Sequence, residues 1–326
     1  MFPYIHAPDT QIPIPGIGKL PLHPFGVLVA TGVMVGTWLA VRRARARGVD
    51  LDKLNSFITW MLAFGFAGGH IFDQIFYHPK EIFENPLVLL MLWKGLSSFG
   101  GFLGALIGVV LWKYFYAVPI FETPIGALYK YKRRPEAQPI MPLCDLITAV
   151  FPVAWIFGRT GCTVVHDHPG ALTDSILGVG YPYASPHQHP AGASFKLIYG
   201  QFHRFDLGLL EMLFTVVVAI AFALTWRKRL PTGSYIVAAA FSYGPVRFVM
   251  DYYRLPEAAT DENADLRYGS LTFAQWSCLA LVAFGIYMIT VIRKNAAAGI
   301  DPMDKLLVSN EPPAAPPPED PAPAAT

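Results

Sequence analysis

The sequence predicts an all-α integral membrane protein, a seven-transmembrane helical bundle with an outer (periplasmic) loop or cap region. Three observations predict it. Of 326 residues, 53% are hydrophobic and only 15% charged, against about 25% charged in soluble proteins; the mean hydropathy is +0.39. Seven segments approach the length of about 20 apolar residues that a hydrocarbon core about 30 Å thick requires. Basic residues recur in every second connection between them.

The segments are 24–41, 55–76, 97–117, 141–158, 207–226, 233–253 and 271–292. Before the first lies an outer segment, 1–23, whose start MFPYIHAPDT has neither the basic nor the apolar region of a cleavable signal, so the first span is expected to remain. The second carries His70 after Gly68-Gly69, and Asp73 near its end. The third opens on GLSSFGGFLGALIG (95–108), where Gly100 and Gly101 let another backbone or a ligand approach closely. The fourth contains Asp145 and two prolines, so a kinked or partly re-entrant segment is expected. The fifth, LGLLEMLFTVVVAIAFALTW, is among the clearest and holds Glu211 just inside. The sixth ends in GPVRFVMDYYRLPE (244–257). Trp93, Trp112, Trp155 and Trp226, near span ends, read as interface anchors. The tail, 293–326, finishes in EPPAAPPPEDPAPAAT, which lacks any core-forming pattern and is expected to be disordered and cytoplasmic.

Loop charge tests the count. Sixteen of the 25 basic residues lie in the connections after spans one, three, five and seven or, for Lys113, at the end of the span before, among them Arg42, Arg43, Arg45, Arg47, Lys130, Lys132, Arg133, Arg134, Arg227, Lys228 and Arg229. By the positive-inside rule those connections are cytoplasmic, the N-terminus is outside and the C-terminus inside. A net charge of +2 excludes a nucleic-acid binder that works by bulk charge, and three cysteines (Cys144, Cys162, Cys278) exclude a disulfide scaffold.

The informative ionisable residues fall on the opposite, outer side. The outer loop 159–206 follows the fourth span, and FGRTGCTVVHDHPG (157–170) places Arg159, His166, Asp167 and His168 where the chain leaves the bilayer. Arg247 and Asp251 are four apart and share a helix face, with Arg254 three further on. Arginine forks match phosphate oxygens in pairs, so arginines at the outer end of a bundle fit a phospholipid headgroup. The bland alternative is an Arg247–Asp251 intrahelical pair with Arg159 and Arg254 snorkelling to the interface. His166-Asp167-His168, with His187 and His189 downstream, supports two readings. One is a metal site, with alternation placing both imidazoles on one side of a strand but no third ligand fixed by spacing. The other is a base near neutral pH. Cys162 beside Arg159 is either a reactive thiol or a small buried residue.

These residues resemble the prolipoprotein diacylglyceryl transferase family over about 24–292. ENPLVLLMLWKGLSSFGG (84–101) resembles the family stretch ending Ser-Phe-His-Gly-Gly. GRTGCTVVHDHPG (158–170) fits the frame of the signature Gly-Arg-x-Gly-Asn-(x)4-Glu-(x)2-Gly. RFDLGLLE (204–211) resembles Arg-x-Pro-(Ser/Thr)-Gln-Leu-Tyr-Glu, and RFVMDYYRLPE (247–257) resembles Arg-(x)3-Glu-Phe-(Phe/Tyr)-Arg. The resemblance implies transfer of sn-1,2-diacylglyceryl from phosphatidylglycerol to the lipobox cysteine of a prolipoprotein, in the bacterial inner membrane, with no metal or organic cofactor.

For the site, the resemblance implies catalytic roles for Arg159, Arg247, Asp167 and Asp251. It implies substrate contacts by Arg159, Arg247, Arg254, Gly100, Gly101, Cys162, Gly170 and Glu211. Asp167 and Asp251 stand where the family has glutamate, and Cys162 where the signature has asparagine. Phe99 replaces the histidine before Gly-Gly, and Phe25 replaces a first-span tyrosine. The expected base is therefore His166 or His168 with Asp167 orienting it, and His70 is a weaker candidate. Two alternatives stay open: a non-catalytic lipid- or lipopeptide-binding paralogue, and a metal-dependent lipid-headgroup transferase using His166, Asp167 and His168.

Overall fold

Local signals in the sequence set most helix starts. Pro24 occupies the first turn of α1 (Pro24–Ala46), where a missing N–H costs nothing. The Asp50 carboxylate accepts from the backbone N–H groups of Asp52 and Lys53 and starts α2 (Leu51–Tyr77). A short helix, α3 (Pro79–Glu84), follows. Ser97 caps α4 (Ser98–Tyr114) through the Gly100 N–H. α5 is Met141–Val165. The Asp206 side chain caps α6 (Leu207–Leu224). α7 is Ser234–Met250, and a Thr272/Gln275 capping box opens α8 (Phe273–Ala297). The computed structural model describes residues 1–7, 10–14, 18–91, 95–123, 126–182, 197–198, 201–254 and 267–308. Trp93, His187, His189 and the 311–326 tail lie outside the described residues.

Each apolar segment read from the sequence falls on one long helix. Four of these helices, α1, α5, α6 and α8, are long and apolar enough to cross a membrane, and α4 is apolar but shorter. The expectation of a partly re-entrant fourth segment is corrected. α5 is one continuous helix of 25 residues. Pro142 sits in its first turn, and the buried Pro152 is carried inside it. Asp145 serves helix α7 instead, its Oδ1 accepting from the N–H groups of Tyr235 (2.8 Å) and Ile236 (3.0 Å).

α2 lies along α4, α1 along α5, α5 along α6, and α7 along α8. Small residues make the α2–α4 contact, as in membrane helix pairs generally. A Cβ on Gly104 would strike the Phe64 carbonyl oxygen and approach the Gly68 Cα to 3.0 Å, both backbone atoms that cannot swing away. Gly104→Val is expected to destabilise the fold by about 1–3 kcal/mol, seen as a lower melting temperature in detergent; unchanged melting contradicts this packing. The same stripe corrects a site assignment. The neighbour that approaches Gly100 is α2, through Phe72 and the Gly68 carbonyl, so Gly100 has no room for a ligand. Gly101 meets only the Gly65 oxygen, 3.8 Å away.

The basic connections gather at one end. Arg43 Nη1 donates to the Trp226 carbonyl (3.2 Å), Arg47 Nη2 to that of Lys228 (2.6 Å), and the Asp50 N–H to that of Leu306 (2.9 Å). Trp112 donates to Ser56 Oγ (3.1 Å), which brings the end of α4 beside the start of α2. Three tryptophans therefore depart from the interface-anchor expectation. Trp112 is fully buried, Trp155 binds Glu211, and Trp226 lies under the Arg43 guanidinium.

At the other end a five-stranded sheet among the described residues joins the end of α5 to the start of α6. Strand Gly178–Pro182 pairs parallel with Phe2–Pro3 and antiparallel with Gln201–Asp206. Gln201–Asp206 also pairs antiparallel with Pro169–Leu172 and with Leu197–Ile198. Asp206 ends a strand and caps α6 at once, which fixes the sheet to the helix that carries Glu211.

Candidate active site

Arg159 lies two turns before the end of α5, on the helix itself, where the sequence placed it in the following loop. Glu211 is on the first turns of α6, four residues inside its start, and Arg247 is in the last turn of α7. The three helices bring these side chains together. Arg159 Nε is 2.9 Å from Glu211 Oε1, and Arg247 Nε is 3.6 Å from Glu211 Oε2. Two guanidinium groups from separate helices therefore flank one buried carboxylate, which is only 3% exposed.

The chain of charges continues. Asp251, fully buried, holds Arg247 Nη1 at 2.6 Å and Arg254 Nε at 2.7 Å on the same oxygen, and Thr272 donates to its other oxygen. The intrahelical Arg247–Asp251 pair read from the spacing is present, although α7 ends at Met250 and Asp251 begins a short 3-10 turn. Among the described residues, three arginines alternate with two carboxylates along this line of contacts.

Arg159 retains donor capacity. Among the described residues, its Nε lies near Glu211 but makes no hydrogen bond, and Nη1 reaches the Cys162 sulfur at 3.7 Å. The guanidinium also sits 4.6 Å over the Trp155 ring. Glu211 is held by two neutral donors besides the arginines, Trp155 Nε1 at 2.9 Å and the Tyr243 hydroxyl at 2.5 Å. Sequence reasoning missed Tyr243. The available signal was its position four residues before Arg247, on the same face of α7.

Gly170 joins two motifs. It bridges Arg254 in antiparallel pairing, its carbonyl accepts from Arg204 Nη1 at 3.3 Å, and an added Cβ would meet the Tyr253 and Phe205 carbonyl oxygens at 2.7 and 2.9 Å. The glycine that closes the 158–170 segment is thus a backbone junction between that segment and the turn carrying Arg254.

The two histidines separate. His166 takes the left-handed conformation (φ 55°) that ends α5. Its ring is 1% exposed, stacked on Tyr4 at 3.9 Å, with Nδ1 at 2.8 Å from Asp206 and Nε2 at 3.1 Å from the Ile5 carbonyl. Both ring nitrogens are occupied by partners within the protein, so neither is open to a substrate thiol. This corrects three expectations: His166 is not the base, Asp206 rather than Asp167 orients it, and it shares no metal-binding face with His168. It fastens the N-terminal strand instead. Tyr181 completes the cluster by donating to Asp206 Oδ2 at 3.1 Å; burial, and then that carboxylate, raise its phenol above the ordinary value and keep it a donor. His166→Ala is expected to release residues 1–7, with backbone amides there exchanging at least tenfold faster; unchanged exchange contradicts the fastening role.

His168 remains with Asp167, Nδ1 to Oδ1 at 2.5 Å, both side chains partly exposed at 29% and 38%. Their neighbour is Cys162, which is 6% exposed and packed against Gly208 at the start of α6. His70 is also withdrawn as a base. It is fully buried, with its ring nitrogens 3.2 Å from the Gly95 carbonyl and 3.0 Å from that of Val88. Phe99 packs edge-on against Phe72 and Phe273, at 5.0 and 4.5 Å, and the Phe25 ring lies against Gly161.

Comparison with known proteins places the chain in a family. A sequence model of the prolipoprotein diacylglyceryl transferase family matches residues 14–124 and 120–291. A phosphatidylglycerol–prolipoprotein diacylglyceryl transferase of Xanthomonas axonopodis pv. citri is 28% identical over 304 residues, 89% of this chain and 93% of that protein. Its namesake in Azotobacter vinelandii is 26% identical over 302 residues, 91% and 98% of the two chains. A third, from Pseudomonas paraeruginosa, is 27% identical over 286 residues, 86% and 93%. With a helical membrane architecture and a family match over most of its length, this chain belongs to the prolipoprotein diacylglyceryl transferase family.

Proposed function

We propose that this chain transfers the sn-1,2-diacylglyceryl group of phosphatidylglycerol to the lipobox cysteine thiol of a prolipoprotein. In this reading the protein crosses the bacterial inner membrane seven times, with residues 1–23 and the sheet outside and 293–326 in the cytoplasm. The observation that carries it is the meeting of Arg159 and Arg247 beside Glu211, with donor capacity left on Arg159. The gathering of the basic connections at the opposite end supports the orientation.

The chemistry divides into three tasks. The substrate sulfur attacks an sp3 glycerol carbon, a C–S bond forms, the C–O bond to phosphate breaks, and glycerol phosphate leaves with the electron pair. Arg159 and Arg247 stabilise the charge of the departing phosphate, a task suited to fixed donors in a water-poor site. Arg254, tied to Asp251, borders the same charge chain. The thiol proton goes to His168: with Nδ1 on Asp167, Nε2 is the nitrogen left to take it. His168→Asn is expected to lower transfer to a lipobox peptide about 10²-fold or more. Parental transfer in this variant removes His168 as the base.

A second reading, a lipid- or lipopeptide-binding paralogue without catalysis, is favoured by one observation. Phe99 and Phe25 are packed apolar rings where the family has a histidine and a tyrosine. Complementation of a strain depleted of its own diacylglyceryl transferase separates the two: growth supports the enzyme, and binding without thioether product supports the paralogue.

A further inference from the structure

We propose that Cys162, Asp167 and His168 form a binding site for one borderline-soft divalent cation of the Zn2+ type, and that its occupation stops the transfer reaction. The second half rests on the function proposed above; the first does not. One ligand atom from each residue lies within 4.8 Å of the other two. The left-handed backbone at His166 ends α5 and returns the chain, so that residues 167 and 168 reach a sulfur on the preceding helical turn. Thiolate, carboxylate and imidazole are the donor types zinc takes in tetrahedral sites, at about 2.0–2.3 Å. Three protein ligands leave the fourth position open.

The charges close. The nearest cation is Arg159, whose Nη1 is 3.7 Å from the sulfur. A thiolate and a carboxylate together neutralise a divalent ion, so the guanidinium faces a neutral cluster rather than a second cation. On binding, the Cys162 thiol proton leaves to solvent and the proton between His168 Nδ1 and Asp167 Oδ1 moves to Nε2, so that both atoms are free to hold the ion. Entry is from the partly exposed His168 and Asp167 side, while Cys162 forms the buried floor. A cation held there removes the Asp167–His168 pair from proton transfer, which makes the bound state inhibited.

The test uses the full chain in detergent micelles, reduced, stripped with chelator and titrated with CoCl2. One equivalent of Co2+ is expected to give a thiolate-to-cobalt charge-transfer band in the near ultraviolet, displaced by ZnCl2. The isosteric Cys162→Ser is expected to abolish the band and His168→Asn to weaken binding at least tenfold. No band in the unaltered protein overturns the site, and so does a band that persists in Cys162→Ser, which assigns it to Cys144 or Cys278. A transfer assay with and without one equivalent of ZnCl2 reads the consequence: inhibition supports it, and full activity of the loaded protein overturns it. If the metal-free protein transfers nothing, the functional reading fails while the cobalt titration still decides the site.

Discussion

Replacing Arg159 by alanine is expected to lower diacylglyceryl transfer by about 10²- to 10³-fold, the usual cost of removing one fixed donor from a developing anion. The loss belongs to chemistry more than to folding. Glu211 keeps the Tyr243 hydroxyl, the Trp155 N–H and the Arg247 guanidinium as partners, so its buried charge is not orphaned. The variant is therefore expected to insert and to melt close to the parent in detergent. Arg159→Lys restores the charge without the planar fork and should recover only part of the rate. Full activity in Arg159→Ala, or a collapse of folding with it, contradicts the assignment.

Glu211→Ala is expected to have the largest effect on stability. It removes the carboxylate between two guanidinium groups whose side chains are only 10% and 12% exposed. Breaking a buried pair from one side costs about 3–5 kcal/mol, because a charge is left unpaired; here two cations are left facing each other. Glu211→Gln keeps the shape and one acceptor, and should fall between the alanine variant and the parent. Thermal melting in detergent checks both. Parental melting in Glu211→Ala shows that the arginines do not depend on this carboxylate and that the central arrangement is wrong.

Much of this was legible in the sequence, for identifiable reasons. Hydropathy placed the seven longest helices, four of them long and apolar enough to cross a membrane, because segments that avoid water must be both apolar and long. The 3.6-residue repeat placed Asp251 on Arg247. Glu211 stood out as a lone carboxylate inside an apolar run, and a charge there needs a partner. The failures came where partners are distant in sequence. Nothing local ties His166 to Asp206 and Ile5, 40 and 161 positions away, so its buried fastening role was invisible and the adjacent Asp167 looked like its partner. The end of α5 was read too early because the charged Arg159 ends the apolar run, whereas the helix continues to Val165 and Gly161 packs closely against Phe25. Gly100 was read as making room for a ligand because a glycine's sequence does not say what approaches it; α2 does. The Cys162–Asp167–His168 cluster needed the left-handed turn at His166, which single-sequence patterns do not reveal.

The central claim is that Arg159 and Arg247 grip one lipid phosphate. The most direct measurement is the affinity of the detergent-solubilised full chain for phosphatidylglycerol and for phosphate-free diacylglycerol, with Arg159→Ala and Arg247→Ala alongside. Each substitution is expected to weaken phosphatidylglycerol at least tenfold and to leave diacylglycerol unchanged. Parental affinity for phosphatidylglycerol in either variant, or equal weakening of both lipids, contradicts a shared phosphate grip.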